Sequence, residues 1–125
     1  MEAIRQDDCI FCKIVRCEIP SAIVYSDDDV IAFRDISPQA PVHVLVIPRE
    51  HYTNLSAGIP AKLLGSLFSA VPTVAEQIGV NETGYRVIVN NGADANQTVG
   101  HLHVHILGGR SMSHGMVKFS RGDAG

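Results

Sequence analysis

His101-Leu102-His103-Val104-His105-Ile106-Leu107 alternates imidazoles with apolar side chains. A strand has a side-chain period of two, so the pattern predicts a strand with His101, His103 and His105 on one face. Leu102, Val104 and Ile106 then turn to the other face, against a core. Three imidazoles in a row along about 13 Å of strand have no packing rationale. Imidazole is the side chain that changes charge near neutral pH, and it serves as nucleophile, base or ligand. The spacing alone leaves two functional readings open. His-x-His pairs on strands chelate zinc and similar ions. Alternatively, one imidazole attacks while its neighbours bind anions and protons. No carboxylate lies within the strand, although a catalytic metal site commonly uses one.

The predicted strand runs over 99–107 and Gly108-Gly109 ends it. Just upstream, Asn90-Asn91-Gly92 and Asn96-Gln97-Thr98 offer amide and hydroxyl donors to an anion without fixed positive charge. Further strands are predicted over 84–89, over 42–47 (containing His43 and ended by Pro48), and over 22–25 and 30–33. Asp27-Asp28-Asp29 between the last two reads as a solvated turn rather than a cation site. Asp35-Ile36-Ser37-Pro38-Gln39-Ala40-Pro41 is a loop, because its prolines cannot sit inside a sheet.

The one long helix is predicted over 60–80. Leu63, Leu64, Leu67, Phe68, Val71, Val74, Ala75 and Ile78 form its apolar face. Pro60 suits a first helical position and Gly79 a C-terminal cap. Pro72 removes the hydrogen bond to residue 68, which predicts a kink or a break. A short helix over 10–15 sets Ile10, Phe11 and Ile14 on one side. The result is an α+β class with a mostly antiparallel five-stranded sheet. The strands are not separated by regular helices, which argues against a doubly wound parallel sheet.

A chain of 125 residues reads as a single domain, 1–125, with loose ends at 1–8 and about 112–125. With 46% hydrophobic and 18% charged residues it is not a disordered chain. No apolar run approaches the roughly 20 residues of a membrane span, and the first eight residues lack the apolar core of a secretory signal. A net charge of −3 argues against a sequence-independent nucleic-acid binder. Three cysteines without an export signal suggest reduced thiols in a cytoplasmic protein.

These segments together resemble the histidine triad family, whose signature of three alternating histidines followed by two apolar residues is matched in full at 101–107. The resemblance extends from about Cys9 to Arg110. It takes in Phe11-Cys12-Lys13-Ile14, the loop from Asp35 to Pro41, His43-Val44-Leu45-Val46-Ile47-Pro48 and Gly108-Gly109-Arg110. The last of these is similar to the Hint branch, while Gln97-Thr98-Val99 also looks Fhit-like. The resemblance implies a homodimer with one continuous sheet and a purine nucleoside monophosphate group bound by each protomer. His103 matches the family nucleophile, which attacks the α-phosphorus and forms a nucleotidyl-histidine that water later hydrolyses. His105, the Thr98 hydroxyl and the backbone from Gln97 to Val99 would bind phosphoryl oxygens, with Asn90 beside them. Asp35 matches the ribose contact; Ile10, Phe11, Ile14 and Ile36 match the slot for the base. Thr98 stands where many Hint relatives have Ser, Gly100 where a larger residue is common, and the tail lacks their Trp.

Cys9-x-x-Cys12 has the spacing of a zinc knuckle. The resemblance adds His51 and His101 as the two further ligands of a structural, four-coordinate zinc. Cys17 falls outside that set and reads as a small apolar residue. The functional reading is a purine nucleotide hydrolase of the phosphoramidase type, with no organic cofactor, no nucleic acid and no membrane involved. The alternatives are a Fhit-like dinucleoside polyphosphate hydrolase, a nucleotide-binding interaction protein with vestigial catalysis, and a metal-dependent hydrolase using the triad as ligands.

Overall fold

The computed structural model describes residues 8–113. In chain order it contains α1 (Ile10–Val15), β1 (Ile23–Ser26), β2 (Val30–Arg34), β3 (Val42–Pro48), α2 (Ala61–Gln77), β4 (Tyr85–Ile88), a 3₁₀ turn (Ala93–Ala95) and β5 (Val104–Gly108). The strands form one sheet in the order β1-β2-β3-β5-β4, and every neighbouring pair is antiparallel. The α+β class and the five-stranded antiparallel sheet follow the sequence expectation. The proposed loose ends fall almost wholly outside the described residues.

Strand alternation sorts the core into two layers. Val30, Ala32, Val44, Val46, Val104 and Ile106 pack under Leu67, Val71 and Val74 of α2. Ile31, Phe33, Leu45 and Ile47 face the opposite way, under Phe11 and Ile14 of α1. The register sets Leu45 opposite His105 and Val44 opposite Ile106. It therefore puts His43, two residues before Leu45, on the α1 side beside His105. Gly108 closes β5 because a Cβ there would stand 2.7 Å from the Val80 side chain.

Four local expectations are corrected. β5 begins at Val104 rather than at 99. The backbone before it is spent elsewhere: Leu102 N–H donates to Tyr52 O at 2.7 Å, and Val99 O accepts from the Gln97 side chain. The facing nonetheless alternates as a strand's would, with Leu102 buried on the α2 side. Pro72 does not break α2, which runs as one helix through it. Pro72 is exposed, so the Phe68 carbonyl it leaves without a donor is open to water. Phe68 itself is 39% exposed. It lies about 100° around the helix from Leu67, beyond the strip that β1, β2 and β3 cover. Gly79, at φ +80, does end the helix, with Val80 N–H bonded to Ala75 O. Cys17 is exposed at φ +61, so it is not a core filler. Asp27 acts as the turn residue expected of it, its carboxylate accepting from the N–H groups of Asp29 and Val30.

Candidate functional site

On the α1 side of the sheet lies a cavity of about 720 Å³. Of the residues singled out in the sequence, Ile10, Phe11, Ile14, Asp35, Ile36, Asn90, Thr98, Val99, His103 and His105 line it. The apolar members divide in two. Phe11 and Ile14 are buried and belong to the core as well as the wall. Ile10 and Ile36 are 48% and 94% exposed, so core packing does not account for them. An isoleucine held almost wholly in water at a cavity mouth is suited to cover an apolar ligand. Gln97 is not a lining residue. Its amide donates to Thr53 O and Val99 O and accepts from Gly92 N–H, which ties the loop before β5 together.

Hydrogen bonds fix the imidazole tautomers. A carbonyl oxygen only accepts, so the 2.7 Å contact between His103 Nδ1 and His101 O places a proton on Nδ1. The neutral His103 ring therefore carries its lone pair on Nε2. His43 Nδ1 accepts from Gln39 N–H at 3.0 Å, which leaves the His43 proton on Nε2. That Nε2–H donates to His105 Nδ1 at 2.8 Å. His105 then carries its own proton on Nε2, a buried atom with no partner among the described residues. Asp35 Oδ2 stands 3.5 Å from His43 Nε2, and its Oδ1 accepts from Ser37 N–H. The chain from Gln39 through His43 to His105 thus delivers an unspent donor to the cavity wall.

Burial favours the neutral forms of His43 and His105. It lowers His105 to about 4, helped by the neighbouring His103 and His43 and opposed by Asp35. It lowers His43 as well, again against the pull of Asp35. Asp35, His43 and His105 are close enough to share a cation, but both His43 nitrogens are already committed. A metal at its Nε2 would need the proton removed while Nδ1 still faces an N–H. The hydrogen-bonded arrangement is the chemically consistent one, which counts against Asp35, His43 and His105 as a catalytic metal cage.

His43 is the residue that sequence reasoning passed over. Its signal was the parity of β3, which carries His43, Leu45 and Ile47 on one face. The partner strand that gives this parity meaning lies 62 residues away.

His101 belongs to a second cluster. Cys9 Sγ and Cys12 Sγ lie 3.4 and 3.5 Å from His101 Nδ1, and Cys12 Sγ lies 3.2 Å from His51 Nδ1. The four donor atoms all fall within 4.8 Å of one another. Tetrahedral zinc with bonds of about 2.3 Å to sulfur and 2.0 Å to nitrogen spaces such atoms about 3.5 Å apart. His101 Nε2–H donates to Pro48 O at 2.9 Å, so its Nδ1 lone pair faces the sulfurs. Burial lowers His101 to about 4, which keeps that lone pair free near neutrality. Burial, together with Cys9, pushes the Cys12 thiol up to about 11; a bound cation reverses such a shift. The donor set and its spacing fit a closed zinc site.

The HIT domain family model matches residues 16–112. The chain is 46% identical over 108 residues to the purine nucleoside phosphoramidase of Escherichia coli, covering 85% of this chain and 91% of that one. It is 48% identical over 115 residues to a 14 kDa zinc-binding protein of Zea mays, covering 87% and 89%. Among solved structures, a HIT family hydrolase from Clostridium thermocellum superposes with a TM-score of 0.84 at 48% identity, covering 89% of this chain and 98% of that one.

Proposed function

The chain belongs to the HIT domain family, and on that premise we propose that it is a purine nucleotide hydrolase of the phosphoramidase type, acting through His103. One observation carries the reading: the His101 carbonyl holds the Nδ1 proton of His103 and leaves a nucleophilic lone pair on Nε2 at the cavity wall. The E. coli relative named for this activity supports the substrate class.

In the proposed reaction His103 Nε2 attacks the α-phosphorus. A P–N bond forms, the bond to the leaving amine breaks, and the amine departs with the electron pair and a proton taken from solvent, which the attacking water of the second step returns. Water then attacks the nucleotidyl-histidine, releases His103 and yields the nucleoside monophosphate. Splitting one displacement in two suits a weak leaving group. Positioning and electrostatics supply most of the acceleration. The unspent Nε2–H of His105, the Thr98 hydroxyl and the Asn90 amide are the donors for the phosphoryl oxygens. His43 positions His105 and is not itself asked to touch the substrate. Asp35 accepts from the ribose hydroxyls, while Ile10, Phe11, Ile14 and Ile36 enclose the base, with Val99 against the nucleotide. Gln97 serves by holding the Val99 carbonyl.

Cys9, Cys12, His51 and His101 would hold a structural zinc, whose chemistry is to cross-link α1 to the chain after β3 and before β5. The pairing of two protomers into one sheet has support from β4, an edge strand with Val87 exposed, and from the exposed Phe68 on α2.

The test is hydrolysis of adenosine 5′-phosphoramidate by wild type and by His103→Ala, with intact-mass analysis of the quenched wild-type reaction. Turnover lost in the variant and an adduct of nucleotide mass on the wild type support the proposal. A wild type that binds AMP but shows neither turnover nor adduct sinks it in favour of a binding protein.

A further inference from the structure

We infer that the Cys9–Cys12–His51–His101 cluster is a positioning device for the His103 nucleophile, so that zinc occupancy sets turnover as well as stability. The inference rests on the reading of His103 given above.

Two physical links join the cluster to the nucleophile. The first is backbone. His101 lies outside the β5 ladder, so strand pairing does not hold its peptide. Its ring is fixed instead, by Pro48 O on one nitrogen and by the two sulfurs on the other. The carbonyl of that same residue fixes the tautomer of His103. The next residue, Leu102, is tied to Tyr52 O, one residue after the ligand His51. The second link is a side chain. Phe11 stands between the two cysteines on α1, and its ring meets that of His103 edge-on at 5.2 Å and that of His101 at 5.9 Å.

α1 has six residues, too few to be stable alone. Its hold on His103 therefore depends on what fastens it to the sheet. Without the cation, the sulfur contacts to His101 are weak hydrogen bonds to thiols at 3.4 and 3.5 Å. The peptide that carries the His101 carbonyl is then held only through Leu102 N–H to Tyr52 O, beside an untethered His51, and as it shifts the proton of His103 can move from Nδ1 to Nε2. A ring with its proton on Nε2 carries its lone pair on Nδ1, on the His101 side and not toward the phosphorus.

The experiment compares zinc-loaded wild type, wild type stripped by a chelator, and His51→Ala, which removes one half-buried ligand and with it the ring that packs on His101 at 4.9 Å. Folding at the assay temperature is checked by circular dichroism. Ring ¹⁵N shifts of His103, recorded without substrate, report which nitrogen carries the proton. The expected result is a single Nδ1–H tautomer in the loaded protein and a mixture in the other two. With it, kcat falls at least about tenfold, by more than KM rises. Returning Zn²⁺ restores the stripped wild type but not His51→Ala. Folded, stripped protein that keeps one His103 tautomer and a kcat within about twofold of the loaded form overturns the inference, as does a wild type that takes up no zinc. A zinc-dependent tautomer in a protein that turns over nothing would refute the proposed reaction and leave only the positioning of His103 by the cluster standing.

Discussion

The two imidazole clusters use the same side chain in opposite senses. In the thiol cluster the lone pairs converge: the Nδ1 atoms of His51 and His101 both face the sulfurs of Cys9 and Cys12. In the cavity the rings run head to tail, each accepting on one nitrogen and carrying its proton on the other, from Gln39 N–H through His43 to His105. Converging lone pairs make a hole for a cation. A head-to-tail chain ends in a polarised N–H and makes a seat for an anion. The direction of each hydrogen bond therefore separates the two sites more sharply than residue type does. His101 is where they meet, its ring in one and its carbonyl in the other.

The hardest test of this contrast is His103→Ala, which should cut turnover by about 10³-fold or more while bound zinc stays unchanged. Zinc lost together with activity would mean that the clusters are one metal site. Next comes Cys9→Ser. It should abolish stoichiometric zinc and lower the melting temperature by about 10 °C; an unmoved melting curve would dissolve the cation-binding side of the comparison. His43→Ala takes the donor from His105 Nδ1 and should lower kcat roughly 10- to 100-fold with zinc retained. Normal kcat in that variant would show that the head-to-tail chain has no bearing on catalysis. Asp35→Asn should weaken AMP binding about tenfold and slow the chemistry less, as titration calorimetry and a kcat against KM comparison would reveal. A raised kcat/KM would contradict the ribose role.

The smallest effect is on acid stability. Burial puts the folded value of His105 at about 4, below the unfolded value of about 6.5. Its contribution is therefore whole above about pH 6.5 and is lost as pH falls toward 4. Between pH 6.5 and 5.5 urea melts should lose at most about 1 kcal/mol from this group. Stability that instead rises on acidification would mean that His105 is charged in the fold.

The alternating histidines, the apolar strand over 42–47 and the helical periodicity of α2 were legible because each is a local pattern repeated by its own element. The irregular approach to β5 was not, since it follows from Leu102 donating to Tyr52 across 50 residues. His43 looked like one polar residue in an apolar strand until the register set it beside His105. The slot residues Ile10 and Ile36 carried the opposite ambiguity. Their hydrophobicity reads as core in sequence, and only their exposure distinguishes them.

The contact between Cys9 and His101 spans 92 residues, and it bears on the order in which the molecule is made. On the ribosome α1 emerges before the sheet it packs on, yet it is too short to hold its shape, and its anchor at His101 follows 92 residues after Cys9. The sheet layer under α2 can begin to form from β1, β2 and β3 before β5 has left the exit tunnel. The cavity cannot, because one wall belongs to α1 and His103 lies just before β5. Assembly should therefore be slow relative to the rest of the fold, as contacts of long sequence separation are. A growing chain would carry no assembled cavity until β5 has emerged.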